Sequence, residues 1–199
     1  MAERIPRLSP DRGHDVQNWL VRVFLPVIIV LVQGESLGVL GFRLPPVTIQ
    51  MFASIALLTT ALFLSETIII WVAVSVTKDE TAIRTVKNWP EKPDWRASLR
   101  GPIIWTVPEE CFFRGYLISQ LAAFGLTSAL LISSLFFAVL HKDRGRSWIL
   151  LNLSAGLLFG LAFVWTDSLL PPLVMHAASN NIFPFVLAPW ATALAEVEN

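Results

Sequence analysis

The sequence predicts an all-α membrane protein, a polytopic bundle of about six transmembrane helices, and three observations lead there. Of its 199 residues, 54% are hydrophobic and only 15% are charged. Mean hydropathy is +0.61, well outside the balance of a water-soluble domain. The apolar residues also fall in long runs, several near the roughly 20 residues that a helix needs to span a hydrocarbon core of about 30 Å. Lipid satisfies no backbone polar group, so such runs cross as helices.

The runs, in order, are Trp19 to Gln33, Val47 to Thr77, Gly101 to Phe124, Leu126 to His141, Trp148 to Thr166, and Leu169 to Pro189. The first is short and can extend through SLGVLGF despite Glu35, and the second is long enough to tilt or project. Pro26, Pro108 and Pro184 fall inside the first, third and sixth runs. Each should kink or locally open its helix, since proline removes a donor and crowds the preceding turn. Trp19, Trp71, Trp105, Trp148, Trp165 and Trp190 lie near span ends, where interfacial indoles are expected.

The connections divide the chain into a polar tail (1–18), a two-helix front region (19–77), a basic linker containing Pro90 and Pro93 (78–100), a four-helix core (101–189) and a short C-terminal tail (190–199). Arg4, Arg7 and Arg12, then Lys78, Arg84, Lys87, Lys92, Arg96 and Arg100, then Lys142, Arg144 and Arg146 fall on one side of the six-span scheme. The other side has little beyond Arg43, so the positive-inside rule puts both termini in the cytoplasm. The polar tail before the first run argues against a cleaved signal. Net charge is zero, and no basic cluster alternates with aromatics, so nothing points to nucleic acid. Cys111 is the single cysteine, which excludes an internal disulfide and a thiolate metal cluster.

Against that apolar background a few polar side chains stand out: Glu109 and Glu110 in GPIIWTVPEECFFRGYL, His141 closing SALLISSLFFAVLH, and His176 with Asn180 in SLLPPLVMHAASNNIFPF. An acidic residue at the centre of a membrane helix costs about 2.5–3.5 kcal/mol on insertion scales, so such residues mark a site. Glu110 and Arg114 are four apart and can pair on a helix, which leaves Glu109 as the unmatched carboxylate. His176 and Asn180, also four apart, share a face. At 1.5 Å per residue, Glu109 is expected roughly 13 Å from the cytoplasmic end of its helix, His141 about 8 Å and His176 about 20 Å, so the three are not expected at one level. Other polar residues have blander readings. Ser133, Ser134 and Ser154 satisfy helix carbonyls or pack, Cys111 is a small core residue, Gly156-x-x-x-Gly160 permits close helix approach, and Glu66 is a packing or headgroup contact that could instead face a cavity.

Glu109-Glu110-x-x-x-Arg114, Phe137-x-x-x-His141 and His176-x-x-x-Asn180, in that order on successive apolar runs, resemble the CAAX protease and bacteriocin-processing family of intramembrane proteases, also called the Abi family. The resemblance covers about Gly101 to Pro189, and Arg-Gly-Tyr completes the first motif. It implies an integral membrane endopeptidase acting on a membrane-associated protein or peptide. By the same resemblance Glu109 and His141 activate a water, His176 and Asn180 stabilise the oxyanion, and Glu110, Arg114 and Phe137 support them. The compact chain shows no organellar targeting features, so a prokaryotic plasma membrane is expected.

The residues themselves supply a base, a water site and donors for an oxyanion. No cofactor is expected. A zinc version stays open, with Glu109, His141 and His176 as three ligands beside a water, although H-E-x-x-H is absent. Two further readings also stay open: a catalytically silent membrane binding or immunity protein using the same cavity, and a proton-coupled carrier, for which the inverted repeat is missing.

Overall fold

The computed structural model describes residues 12–45, 47–88, 101–142 and 145–197. Most of the polar tail and linker residues 89–100, with Pro90 and Pro93, lie outside the described residues. Among the described residues every regular element is helical, and the protein is all-α.

The first helix is built from α1 (Arg12–Trp19), a π-turn (Leu20–Phe24) and α2 (Leu25–Val32). After a 3₁₀ turn (Leu37–Leu40) comes α3 (Ile49–Trp71), extended by a π-turn (Val72–Val76), and then the short α4 (Glu80–Lys87). The third helix winds through a π-turn (Pro102–Thr106), α5 (Val107–Glu110), a longer π segment (Cys111–Ile118), α6 (Ser119–Leu121) and a 3₁₀ turn (Ala122–Phe124). α7 (Leu126–Leu140), α8 (Arg146–Thr166), α9 (Leu170–Asn181) and α10 (Phe183–Val197) complete the bundle. Ile49–Val76 and Arg146–Thr166, of 28 and 21 residues, are long and apolar enough to cross a membrane.

Two of the predicted proline effects take a specific form. Pro26 and Pro108 each follow a π-turn by two residues. A proline offers no N–H to the carbonyl four residues back, and a widened turn absorbs that mismatch without ending the helix. The sixth run breaks instead. α9 stops at Asn181, just ahead of Pro184, and α10 folds back against α4 and the end of α3, with Leu187 and Ala191 in the core beside Val86. The helix therefore continues past residue 190, where a short tail was expected.

Burial is inverted relative to a soluble bundle. On α7, Leu131, Leu135, Phe136 and Val139 face outward, whereas Ala129, Ser133, Ser134 and Phe137 face the interior. Ser133 Oγ donates to the carbonyl of Phe113 on the neighbouring helix at 2.7 Å. α7 and α8 pack closely because Gly156 and Gly160 carry no side chain: a Cβ at Gly156 would lie 3.1 Å from Ser134 Cα, and one at Gly160 would lie 2.7 Å from Leu130 Cδ2. Trp71, Trp105, Trp165 and Trp190 are exposed as interfacial indoles should be, but Trp148 is buried against Ala73 and Ala82. Its ring wedges α8 to the end of α3 rather than facing lipid.

One end of the bundle is sealed by backbone. The segment from Leu37 to Arg43 wraps over it, with the amide of Leu169 donating to the carbonyl of Gly41 (3.0 Å), Ser168 Oγ to that of Arg43 (2.6 Å) and Ser119 Oγ to that of Val39 (2.8 Å). Gly41 has a φ of +78°, and Gly115 lets the Leu40 carbonyl approach to where a Cβ would lie only 2.6 Å from its oxygen. The glycine of the Arg-Gly-Tyr sequence is thus a backbone contact point.

Candidate active site

The opposite end opens into a cavity of about 440 Å³ lined by Glu109, His141, His176 and Asn180, together with Gly101, Trp105, Thr106, Asn152 and Asn181. The third helix supplies Glu109 and Glu110 from the turn after Pro108. His141 is the residue on which α7 ends, and α9 supplies His176 and Asn180.

The expected difference in depth disappears for a local reason. Because α9 ends at Asn181, His176 lies only five residues from its helix end, about 8 Å rather than 20. Its ring then meets both glutamates. His176 Nε2 is 3.7 Å from Glu109 Oε2, and His176 Nδ1 is 2.6 Å from Glu110 Oε1. His141 Nε2 stands 4.0 Å from Glu109 Oε1, while His141 Nδ1 lies 2.7 Å from the Phe137 carbonyl. A carbonyl only accepts, so Nδ1 carries the proton there, and in the neutral ring Nε2 is left with a lone pair toward Glu109.

Aromatic rings fix these imidazoles. Phe159 stacks on His176 with centroids 4.8 Å apart and planes 20° from parallel. Phe137 meets His176 edge-on at 5.7 Å and lies tilted against His141 at 4.7 Å. The same Phe137 ring lies 4.5 Å from the Arg114 guanidinium, which is fully buried and reaches Glu110 Oε1 at 3.1 Å and the Gly156 carbonyl at 3.4 Å. Glu110 thus stands between two donors, Arg114 and His176. Among the described residues, Glu110 Oε2 and Arg114 Nε have no hydrogen-bond partner.

Glu109 is not the unmatched carboxylate the sequence suggests. Arg22 on the first helix donates from its terminal nitrogen to Glu109 Oε1 at 2.9 Å. Nothing local in the sequence could reveal that pair, because its members are 87 residues apart. Spacing rules reach only across one or two helical turns. Asn152 and Asn181 also line the cavity, and nothing in the sequence marks them, because single carboxamides in apolar helices carry no motif. Glu66 does not line the cavity; its Oε1 accepts from Ser179 Oγ at 2.5 Å and ties α3 to α9. Cys111 is buried in the core and Ser154 donates to the Leu151 carbonyl, which leaves neither in the cavity lining.

A family model described as "Type II CAAX prenyl endopeptidase Rce1-like" matches residues 92–182. No curated protein and no solved structure matches the chain. The matched stretch contains Glu109, Glu110, Arg114, Phe137, His141, His176 and Asn180, but leaves out the first helix and Arg22. Over residues 92–182 this all-α integral membrane protein is thus similar to the Rce1-like type II CAAX prenyl endopeptidases.

Proposed function

We propose that the protein is an intramembrane endopeptidase that hydrolyses a peptide bond in a membrane-associated protein or peptide, with Glu109 and His141 activating water and His176 and Asn180 stabilising the oxyanion. The observation that carries this reading is the approach of both His141 and His176 to within 4.0 Å of Glu109 along the wall of one cavity. A water hydrogen-bonded at about 2.8 Å to both Glu109 Oε1 and His141 Nε2 fits their 4.0 Å separation. Both acceptors can then draw a proton as the water attacks the carbonyl carbon.

The tetrahedral oxygen needs donors. His176 Nδ1 lies 2.6 Å from Glu110 Oε1, and Nε2, on the other side of the ring, serves as a donor to the oxyanion when it carries a proton. Asn180 supplies a carboxamide N–H from one turn further along the same helix. The proton taken by Glu109 and His141 passes to the leaving amine. Glu110, Arg114 and Phe137 hold His176 rather than touching substrate.

Zinc fits these residues poorly. Glu110 on His176 Nδ1 is a contact that a metal-bound imidazole also uses, but Arg22 already occupies Glu109 Oε1 at 2.9 Å with a permanent positive charge. Ligand atoms around tetrahedral zinc, each about 2.0–2.2 Å from the metal, stand closer together than the 3.7 and 4.0 Å seen between these side chains. We therefore assign no cofactor. The Lys and Arg distribution supports both termini in the cytoplasm, with the cavity opening on that side, and we place the protein in a prokaryotic plasma membrane.

The test uses the purified protein in liposomes with a quenched-fluorescence farnesylated peptide ending in a CAAX sequence. Glu109→Gln and His176→Ala should each lower turnover by about 10²–10⁴-fold, and a chelator should change nothing. Full activity in both variants would remove the assignment and favour the silent binding protein; a loss with chelator that zinc reverses would restore the metal reading.

A further inference from the structure

Two arginines serve the adjacent carboxylates, and they arrive from different places. Arg114 follows Glu110 by one turn of the same helix and lies inside the family match. Arg22 comes from the first helix, outside that match, and binds the other carboxylate, Glu109. Its side chain is about a quarter exposed, and it is not among the residues lining the cavity, so it meets Glu109 without occupying the space a peptide would enter.

The first helix is docked for this contact. Asn18, one turn before Arg22, donates to the Ile104 carbonyl at 2.9 Å, just upstream of Pro108. Val23 is buried with Cys111 and Ile118 of the glutamates' own helix, and the Arg22 guanidinium lies 6.0 Å from the Phe113 ring. Arg22 itself sits in the π-turn Leu20–Phe24, a kind of irregularity that recurs at functional sites. Three independent features, a polar tie, an apolar seam and a widened turn, thus converge on one guanidinium.

A glutamate side chain has three rotatable bonds, and a charge-assisted bond to one oxygen removes much of that freedom. With Oε1 held by Arg22, Oε2 is the oxygen turned toward His176. We propose that Arg22 is a positioning residue for Glu109, so that the working enzyme extends beyond residues 92–182 to include the first helix. This inference rests on the protease reading above. Arg22 acts through Glu109 and does not touch substrate.

The experiment compares wild type, Glu109→Gln, Arg22→Ala, Arg22→Lys and the exposed control Val21→Ala in liposomes with the same farnesylated quenched peptide, with and without methylguanidinium. Arg22→Ala should lose roughly 10- to 100-fold in kcat, as expected for a misplaced reacting group, at unchanged KM. Arg22→Lys should recover part of that loss. Methylguanidinium should raise the activity of Arg22→Ala and leave that of Glu109→Gln unchanged, a response that a purely architectural arginine would not give. Val21→Ala should match wild type. An inactive Glu109→Gln beside an Arg22→Ala variant of wild-type or increased kcat overturns this inference alone. A loss in Arg22→Ala that methylguanidinium does not relieve and that appears as an equal fall in thermal midpoint also overturns it. An active Glu109→Gln, or no cleavage by the wild-type protein, removes the protease reading and this inference with it.

Discussion

Arg114 and Gly115 are neighbours in sequence, yet they belong to two regions held together by opposite means. At the cavity end, Arg114, Glu110, His176 and Glu109 form a chain of charged and titratable groups in an interior otherwise walled by Phe113, Phe137 and Phe159. At the sealed end, contact is backbone on backbone, with glycines where carbonyls approach and hydrogen bonds from Leu169, Ser168 and Ser119 closing the seam. Charge in a low-dielectric interior is stable only while every partner is present, whereas a backbone seam depends on the absence of side chains. The cavity end is therefore chemically vulnerable, and the sealed end sterically so.

The sharpest way to break that contrast is Arg114→Leu, which leaves buried Glu110 with His176 alone and should cost about 3–5 kcal/mol, as for removal of one member of a buried pair. A thermal midpoint close to wild type would mean that His176 alone suffices to hold Glu110. Gly115→Val should follow, at about 1–3 kcal/mol from overpacking against the Leu40 carbonyl, with Gly115→Ala milder in the same assay.

Asp79 gives a smaller effect at the rim of the cavity end. Its Oδ1 accepts from the amides of Thr81 and Ala82 at the start of α4, and its Oδ2 from Ser147 Oγ at 2.6 Å. Burial pushes the Asp79 carboxyl up, but the bonds from Ser147, Ala82 and Thr81 outweigh it and leave the pKa below its ordinary value. A carboxyl depressed by folding stabilises above its unfolded pKa of about 3.9, and that contribution is lost as pH falls through the lower folded value. Asp79→Ala should cost about 0.5–2 kcal/mol at neutral pH, the range for a lost helix cap, and the gap from wild type should narrow in acid. Melting curves at neutral pH and near pH 3 would check both. Least of all, Arg43→Ala removes an exposed ion pair with Asp167 at the sealed end and should change stability by about 0–1 kcal/mol, less at high salt.

Much of this molecule is legible in its sequence, for reasons that also mark the limits of such reading. The all-α class follows from the scarcity of charge, and the ends of most helices follow from where apolar runs stop. Glu109, Glu110, His141 and His176 announce themselves because an ionisable group in an apolar run is expensive. That expense does not say which neighbours relieve it. The Glu110–Arg114 pair is visible because helical geometry brings residues four apart together, but Arg22 and Glu109 meet only through the docking of two helices. The break after Asn181 was equally hidden, since Pro184 signals an interruption without saying whether the helix bends or reverses. Trp148 shows the remaining ambiguity: an indole near a helix end reads as interfacial until a partner helix covers it.

A π-turn holds one residue more than an α-turn of the same helix. The glutamates sit between two such stretches, so removing a single residue near Ile104 would let the chain regularise, keep its reach across the bilayer, and swing both carboxylates by about 100° around the helix axis. The length register of this one span is thus as much a determinant of the site as the identity of its side chains, and a one-residue deletion there should silence the protein more cleanly than many replacements would.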